Sequence, residues 1–229
     1  MTPSALLGAI VAAGVGLAIA TVSWRRRFDP EQDRRERMRR LAHDMGWSFS
    51  GDDVFDHGAM DFAVFGPWRG RAANVLVGTG HDGSQTCVFD HVIPAPATET
   101  GTARFSCVLT DLPTELPGLL VIPRFAETRL LDPTALGDLP LEDPAFDDTF
   151  RVHTANPRFA HSLLDTGMRH WLIRRWPVAG FEIRGSLLLV WGPAQPPRRT
   201  RDVISASDDL RGRIPREAWT MATDRGDQA

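Results

Sequence analysis

Hydrophobic and polar positions divide the chain into three regimes. The first is continuous. Residues 4–24, SALLGAIVAAGVGLAIATVSW, hold no charge. A helix rising about 1.5 Å per residue would carry that run across the roughly 30 Å hydrocarbon core of a bilayer. Arg25, Arg26 and Arg27 follow directly, and no basic residue precedes the run. By the positive-inside rule this holds the C-terminal flank in the cytoplasm and sends the N-terminus outward. A cleavable signal peptide needs its positive charge ahead of the apolar run, which argues against cleavage at Ala18-Ile19-Ala20. A transmembrane anchor over residues 1–24 is expected, with Trp24 at the bilayer interface beside Arg25. Gly8, Ala12, Gly16 and Ala20 recur every four residues, a stripe that lets membrane helices approach closely. An Ala-rich coding style produces the same stripe by chance.

The second regime, residues 25–45, reads as an Arg-rich juxtamembrane helix. Asp29 serves as cap, Pro30 suits an early helical position and Gly46 closes the end. Eight arginines face four acids between Arg25 and Arg40. The surplus suits anionic headgroups, although setting topology and solubility explains it equally well.

In the third regime the period falls to two. Residues 47–49 are a short strand and 51–70 a loop. Residues 71–78 and 85–91 form a hairpin about Asp82-Gly83, a pair suited to tight turns. With those two residues as the loop, Leu76 faces Phe89 and Val77 faces Val88. Both hairpin faces are then partly apolar, so the sheet is covered at least in part on each side. Alternation over 103–109 marks another half-buried strand, and pairing of Val92 with Ala103 would bring Cys87 and Cys107 together across neighbouring strands. Six prolines in 111–148 exclude a long helix and leave a strand over 119–122. A strand over 149–154 precedes the best soluble helix, from the Asn156 cap and Pro157 to about Arg175. A second hairpin, 180–184 with 187–191, turns at Gly185-Ser186. A weaker helix over 198–213 and a frayed tail end the chain. Hairpins dominate and strands do not alternate with helices. The expected fold class is α+β: an N-terminal transmembrane helix, then one mainly antiparallel sheet of about seven strands with two packed helices. The expected boundaries are an anchor over 1–24, a juxtamembrane helix over 25–45, a cytoplasmic domain over 46–215 and a flexible tail over 216–229.

Composition narrows the chemistry. The net charge is −3, so no global basic field argues for nucleic acid. All 26 basic residues are Arg, and there is no Tyr. Without Lys, neither Schiff-base chemistry nor a P-loop is available. The two cysteines, Cys87 and Cys107, fit a reduced cytoplasmic domain better than a disulfide framework.

No constellation of side chains points to catalysis. Cys87 and His91 lie about 13 Å apart along a strand, too far to share a metal. His161 and Asp165 stand at helical i, i+4 spacing but lack a third ligand. The acid pairs Asp52, Asp53 and Asp147, Asp148 suit solvated turns. Trp47, Trp171, Trp176 and Trp191 suit core and rim positions. G-x-S-x-G and H-E-x-x-H are absent. No catalytic, cofactor-binding or metal-binding residue is assigned, and no cofactor is expected.

GWSF (46–49), RGRAANVLVGT (69–79), FDH (89–91), FRVHTANPRFAHSLLDTGMRHWL (150–172) and IRGSLLLVW (183–191) resemble a group of actinobacterial single-pass membrane proteins. In that group one N-terminal helix precedes a cytoplasmic domain of similar length. The resemblance spans most of residues 40–215 and carries no catalytic signature. More distantly, the architecture is similar to the TtfA-like trehalose monomycolate transport factors of mycobacteria. That resemblance implies an accessory partner of a lipid transporter, not an enzyme. The expectation is a membrane-tethered, non-enzymatic cytoplasmic domain that works through a membrane-protein partner or a second copy in envelope assembly. The alternative is a small-molecule or lipid-binding domain, enzymatic or not, acting at the membrane.

Overall fold

A computed structural model describes residues 29–221 except 55, 57–59, 66–69, 97, 99–100, 125–137 and 176–178. The chain divides into two units, residues 1–37 and 38–229; the first holds the early turns of one helix, and the sheet and every later helix belong to the second. Helix α1, Pro30–Met45, starts where the Asp29 carboxylate accepts the Glu31 N–H at 2.9 Å. Pro30 lacks a donor that the first turn would leave unpaired anyway. Gly46, at φ +69°, ends the helix, and the Trp47 N–H returns to the Ala42 carbonyl at 2.8 Å. Met38 and Ala42 are buried in the domain core.

The sheet has six strands: β1 Ser48–Asp52, β2 Arg71–Thr79, β3 Gln85–Pro94, β4 Thr102–Pro123, β5 Phe150–Thr154 and β6 Gly180–Pro193. All the pairings are antiparallel. β4 is the shared element. β6 runs along one of its edges, while β3 takes the first part of the other edge and β5 the last. The segments expected as separate strands, 103–109 and 119–122, are both parts of this one strand. Pro113 and Pro117 fall between the β3 and β5 ladders, where register with β6 also shifts. A proline is tolerated at such a bulge because no ladder bond needs its missing donor.

Gly185-Ser186 is no hairpin turn either. β6 runs through it as one strand, with Gly185 at φ +58° opposite Leu116. The positive φ bends the strand at the point where β4 is itself irregular. The bend is large. Gly180 and Trp191 lie at opposite ends of β6, roughly 36 Å apart on an extended strand. Yet a Cβ on Gly180 would sit 2.6 Å from Cζ2 of the Trp191 indole. Only glycine permits that approach. β6 curls back until its ends touch.

The first hairpin also differs from expectation. Its loop is three residues, His81-Asp82-Gly83, closed by the Gly80 N–H on the Ser84 carbonyl at 2.8 Å. Asp82 accepts both the Ser84 N–H and hydroxyl and stabilises the longer turn. Leu76 therefore pairs with Val88 and Val77 with Cys87, one position away from the expected register. Val92 pairs with Arg104 rather than Ala103, so Cys107 lies opposite Phe89.

Alternate side chains cover both faces. Val88, Val108 and Val190 join the cluster under the helices, with Phe159, Leu172 and Ile204. Phe89, Cys107 and Leu189 join the opposite cluster, capped by Phe62, Val64 and Phe65 around a 3-10 turn, Ala63–Phe65, inside the expected loop. The helical layer holds α2 Pro144–Asp147, α3 Pro157–Leu163, α4 Thr166–Arg175, α5 Thr200–Gly212 and α6 Arg216–Trp219. Six strands with several helices replace the expected seven strands and two helices. No helix among the described residues is long and apolar enough to cross a membrane, so the expected N-terminal transmembrane helix is not among the elements found. Residues 4–24 lie outside the described residues.

Candidate functional site

Among the polar side chains buried in the sheet, three groups carry ionisable members away from solvent. Asn74, at φ +54° where β2 bulges, donates to Asp90 at 2.8 Å, and Arg104 pairs with the same carboxylate oxygen at 2.9 Å. Asp90 is 1% exposed, so these charge-assisted bonds offset the desolvation of its carboxylate. On the opposite face Glu182 accepts the Ala63 N–H at 2.8 Å and pairs with Arg184, which also reaches Asp61. Burial still pushes the Glu182 carboxyl above its usual range, with the Ala63 N–H and Arg184 opposing. His153 is buried opposite Leu120, and neither ring nitrogen has a partner. The Asp90 group ties β2, β3 and β4 together, and the Glu182 group ties the 3-10 turn to β6.

A cleft of about 560 Å³ opens where the curled ends of β6 meet α4 and α5. Its apolar lining combines the nearly buried Val190, Trp191 and Ala206 with the more accessible Ala179, Pro193 and Val203. Its rim is charged: Arg175 from the last turn of α4, Arg199 just before α5, and Asp202 in the first turn of α5. Ser106 of β4 contributes a hydroxyl whose oxygen accepts the Gln195 N–H at 2.9 Å. A second cleft, about 540 Å³, lies along another side of α5 between Trp47, His81, Arg201 and Ser205.

The residues singled out in the sequence fall as follows. Gly8, Ala12, Gly16, Ala20, Trp24, Arg25, Arg26, Arg27 and Trp176 lie outside the described residues. Cys87 and Cys107 are free thiols on one sheet face, the first half-buried and the second buried. Burial pushes the Cys87 thiol up to about 12, with the Asp53 charge adding to the effect. Cys107 is raised as well, by burial first and then by the charge of Asp90. His161 and Asp165 do not share a helix. The chain breaks at Leu164, and Asp165 caps α4 by accepting the Met168 N–H at 2.7 Å. Asp147 is no solvated turn acid, because it accepts the N–H groups of Leu141 and Asp143, both at 3.1 Å. Trp191 is core. Trp171 is rim, with the Arg213 guanidinium 5.1 Å above its ring. Among the described residues no group of three His, Cys, Asp or Glu side chains could hold a metal ion. The α5 clefts escaped the sequence reading, because each joins α5 to residues distant in the chain, the first through the ends of β6 and the second through Trp47 and His81; the basic run Arg198, Arg199, Arg201 was the one local signal.

No protein-family model and no curated protein matches the chain. Among solved structures, the mycobacterial trehalose monomycolate transport factor A, TtfA, matches with a TM-score of 0.58 at 15% sequence identity. The match covers 79% of this chain and 96% of that one. At this identity the likeness is one of fold: this chain shares the antiparallel α+β architecture of TtfA.

Proposed function

We propose that the chain is a non-enzymatic accessory factor in cell-envelope lipid transport or assembly, related to actinobacterial single-pass membrane proteins. On this reading the apolar residues 4–24 hold it at the cell membrane, the α+β domain lies in the cytoplasm, and it works through a membrane-protein partner or a second copy. The observation that supports the reading is the fold likeness to TtfA over nearly the whole of that protein. The buried polar groups agree with it, since Asp90, Glu182 and Asp147 have structural partners. The alternative, a lipid- or small-molecule-binding domain, draws on the clefts beside α5.

Deletion of the chain in its native cells tests the proposal. Synthesis of envelope lipid should continue while its arrival at the outer layer slows. In-cell crosslinking of the full chain should recover one polytopic membrane protein in a fixed ratio. Normal lipid delivery in the deletion strain would overturn the accessory role.

A further inference from the structure

We infer that the cleft between the ends of β6, α4 and α5 binds the headgroup of an anionic amphiphile, and that a phosphodiester lipid is the class it fits. This inference goes beyond the accessory role and does not depend on a protein partner.

The polar inventory of the cleft consists mostly of donors. Arg175 and Arg199 enter from separate elements, and neither guanidinium is ion-paired among the described residues. Arg175 complements the negative end of α4, but Arg199 stands at the positive end of α5, where a basic group gains nothing from the dipole. No side chain caps that end of α5. The Trp191 indole N–H is itself buried and has no acceptor in the protein. The Ser106 oxygen already accepts from Gln195, which leaves its hydroxyl proton to donate. Against these donors stands one acidic rim group, Asp202. A ligand rich in anionic oxygens answers this set, since guanidinium forks match phosphate oxygens in pairs.

The apolar lining selects further. Ala179, Pro193 and Val203 line the same cleft as the charged groups and keep accessible apolar surface. A free anion would leave the accessible apolar surface of Ala179, Pro193 and Val203 uncovered, whereas a headgroup joined to its first methylene groups would bury it. The volume of about 560 Å³ also exceeds what a bare phosphate fills.

The test uses the full chain in non-ionic detergent and calorimetric titration with three probes: dihexanoyl phosphatidylglycerol, dihexanoyl phosphatidylcholine and inorganic phosphate. The glycerol lipid should bind saturably at one site, more tightly than the zwitterionic lipid or phosphate, and more weakly as salt rises. Arg175→Gln with Arg199→Gln should weaken it by about tenfold or more, as expected when charge-assisted bonds are lost. Arg158→Gln with Arg174→Gln, the same charge change outside the cleft, should leave affinity unchanged. Asp202→Asn should tighten binding several-fold by removing like-charge repulsion. This opposite sign separates binding from any loss of folding. Equal affinity for phosphate and the glycerol lipid would overturn the amphiphile assignment. Absence of saturable binding, or wild-type affinity in the double variant, would overturn the site.

Discussion

Burial at Cys87 works against reactivity. With the thiol at about 12, raised by desolvation and then by Asp53, the thiolate is scarce at neutral pH. At pH 8 an alkylating reagent meets roughly a thousandfold less nucleophile than at an ordinary thiol. Native full-length chain should therefore react slowly with maleimide at pH 8, and labelling should accelerate as pH rises toward 12. Guanidinium should release both thiols at once; rapid labelling of native Cys87 at pH 8 would refute the account. The sequence showed two reduced thiols but misplaced their pairing, because register was taken from Asp82-Gly83 alone. The carboxylate that lengthens the turn, Asp82 bonded to Ser84, is a local choice that period-two patterning does not carry. Glu182 was missed for a related reason. It falls on an inward face among apolar neighbours, and its partners, Ala63 and Arg184, are brought together by the fold rather than by spacing.

Elements were legible wherever the local signals agreed. Asn156 caps α3 through the Phe159 N–H at 3.0 Å, as its place before Pro157 implies, and β2, β3 and β5 fall close to their alternating runs. They were misread where two signals competed. The apolar i, i+4 rows run on through Asp165, yet its carboxylate offers the Met168 N–H a cap, and the cap wins over helix continuation. Glycine and proline in β4 and β6 were taken as stops, although both strands absorb them as bulges supported by long-range partners. The curl of β6 makes a sharp prediction. Gly180→Val would drive its side chain into the Trp191 ring and the Val121 carbonyl, each within 3 Å of the added Cβ. The cost should be about 1–3 kcal/mol or more, typical of overpacking. It should appear as a lower denaturant midpoint, with altered Trp fluorescence. A variant as stable as wild type would mean that β6 does not close on itself.

At the scale of the molecule, α1 joins the core through its last turns. Met38 and Ala42 are 1% exposed, and the Thr200 hydroxyl meets the Met38 sulfur at 3.5 Å. A chain beginning at residue 29 should therefore melt cooperatively, while one beginning at residue 43 should lose about 2–5 kcal/mol, the usual cost of removing a buried methionine. Equal melting temperatures would show that α1 does not stabilise the domain. The shared strand has a further consequence, in time rather than in space. β4 leaves the ribosome with β3 already available, but β6, which covers its other edge, follows roughly 60 residues later, after β5, several seconds at ordinary synthesis rates. For that interval the edge of a 22-residue strand that β6 will cover stays open, the surface on which nascent chains join one another. Pro113 and Pro117 stand in the middle of that strand, where they deny an intruding chain a continuous ladder. The prolines that made this segment unreadable as a strand thus protect it while it waits for its neighbour.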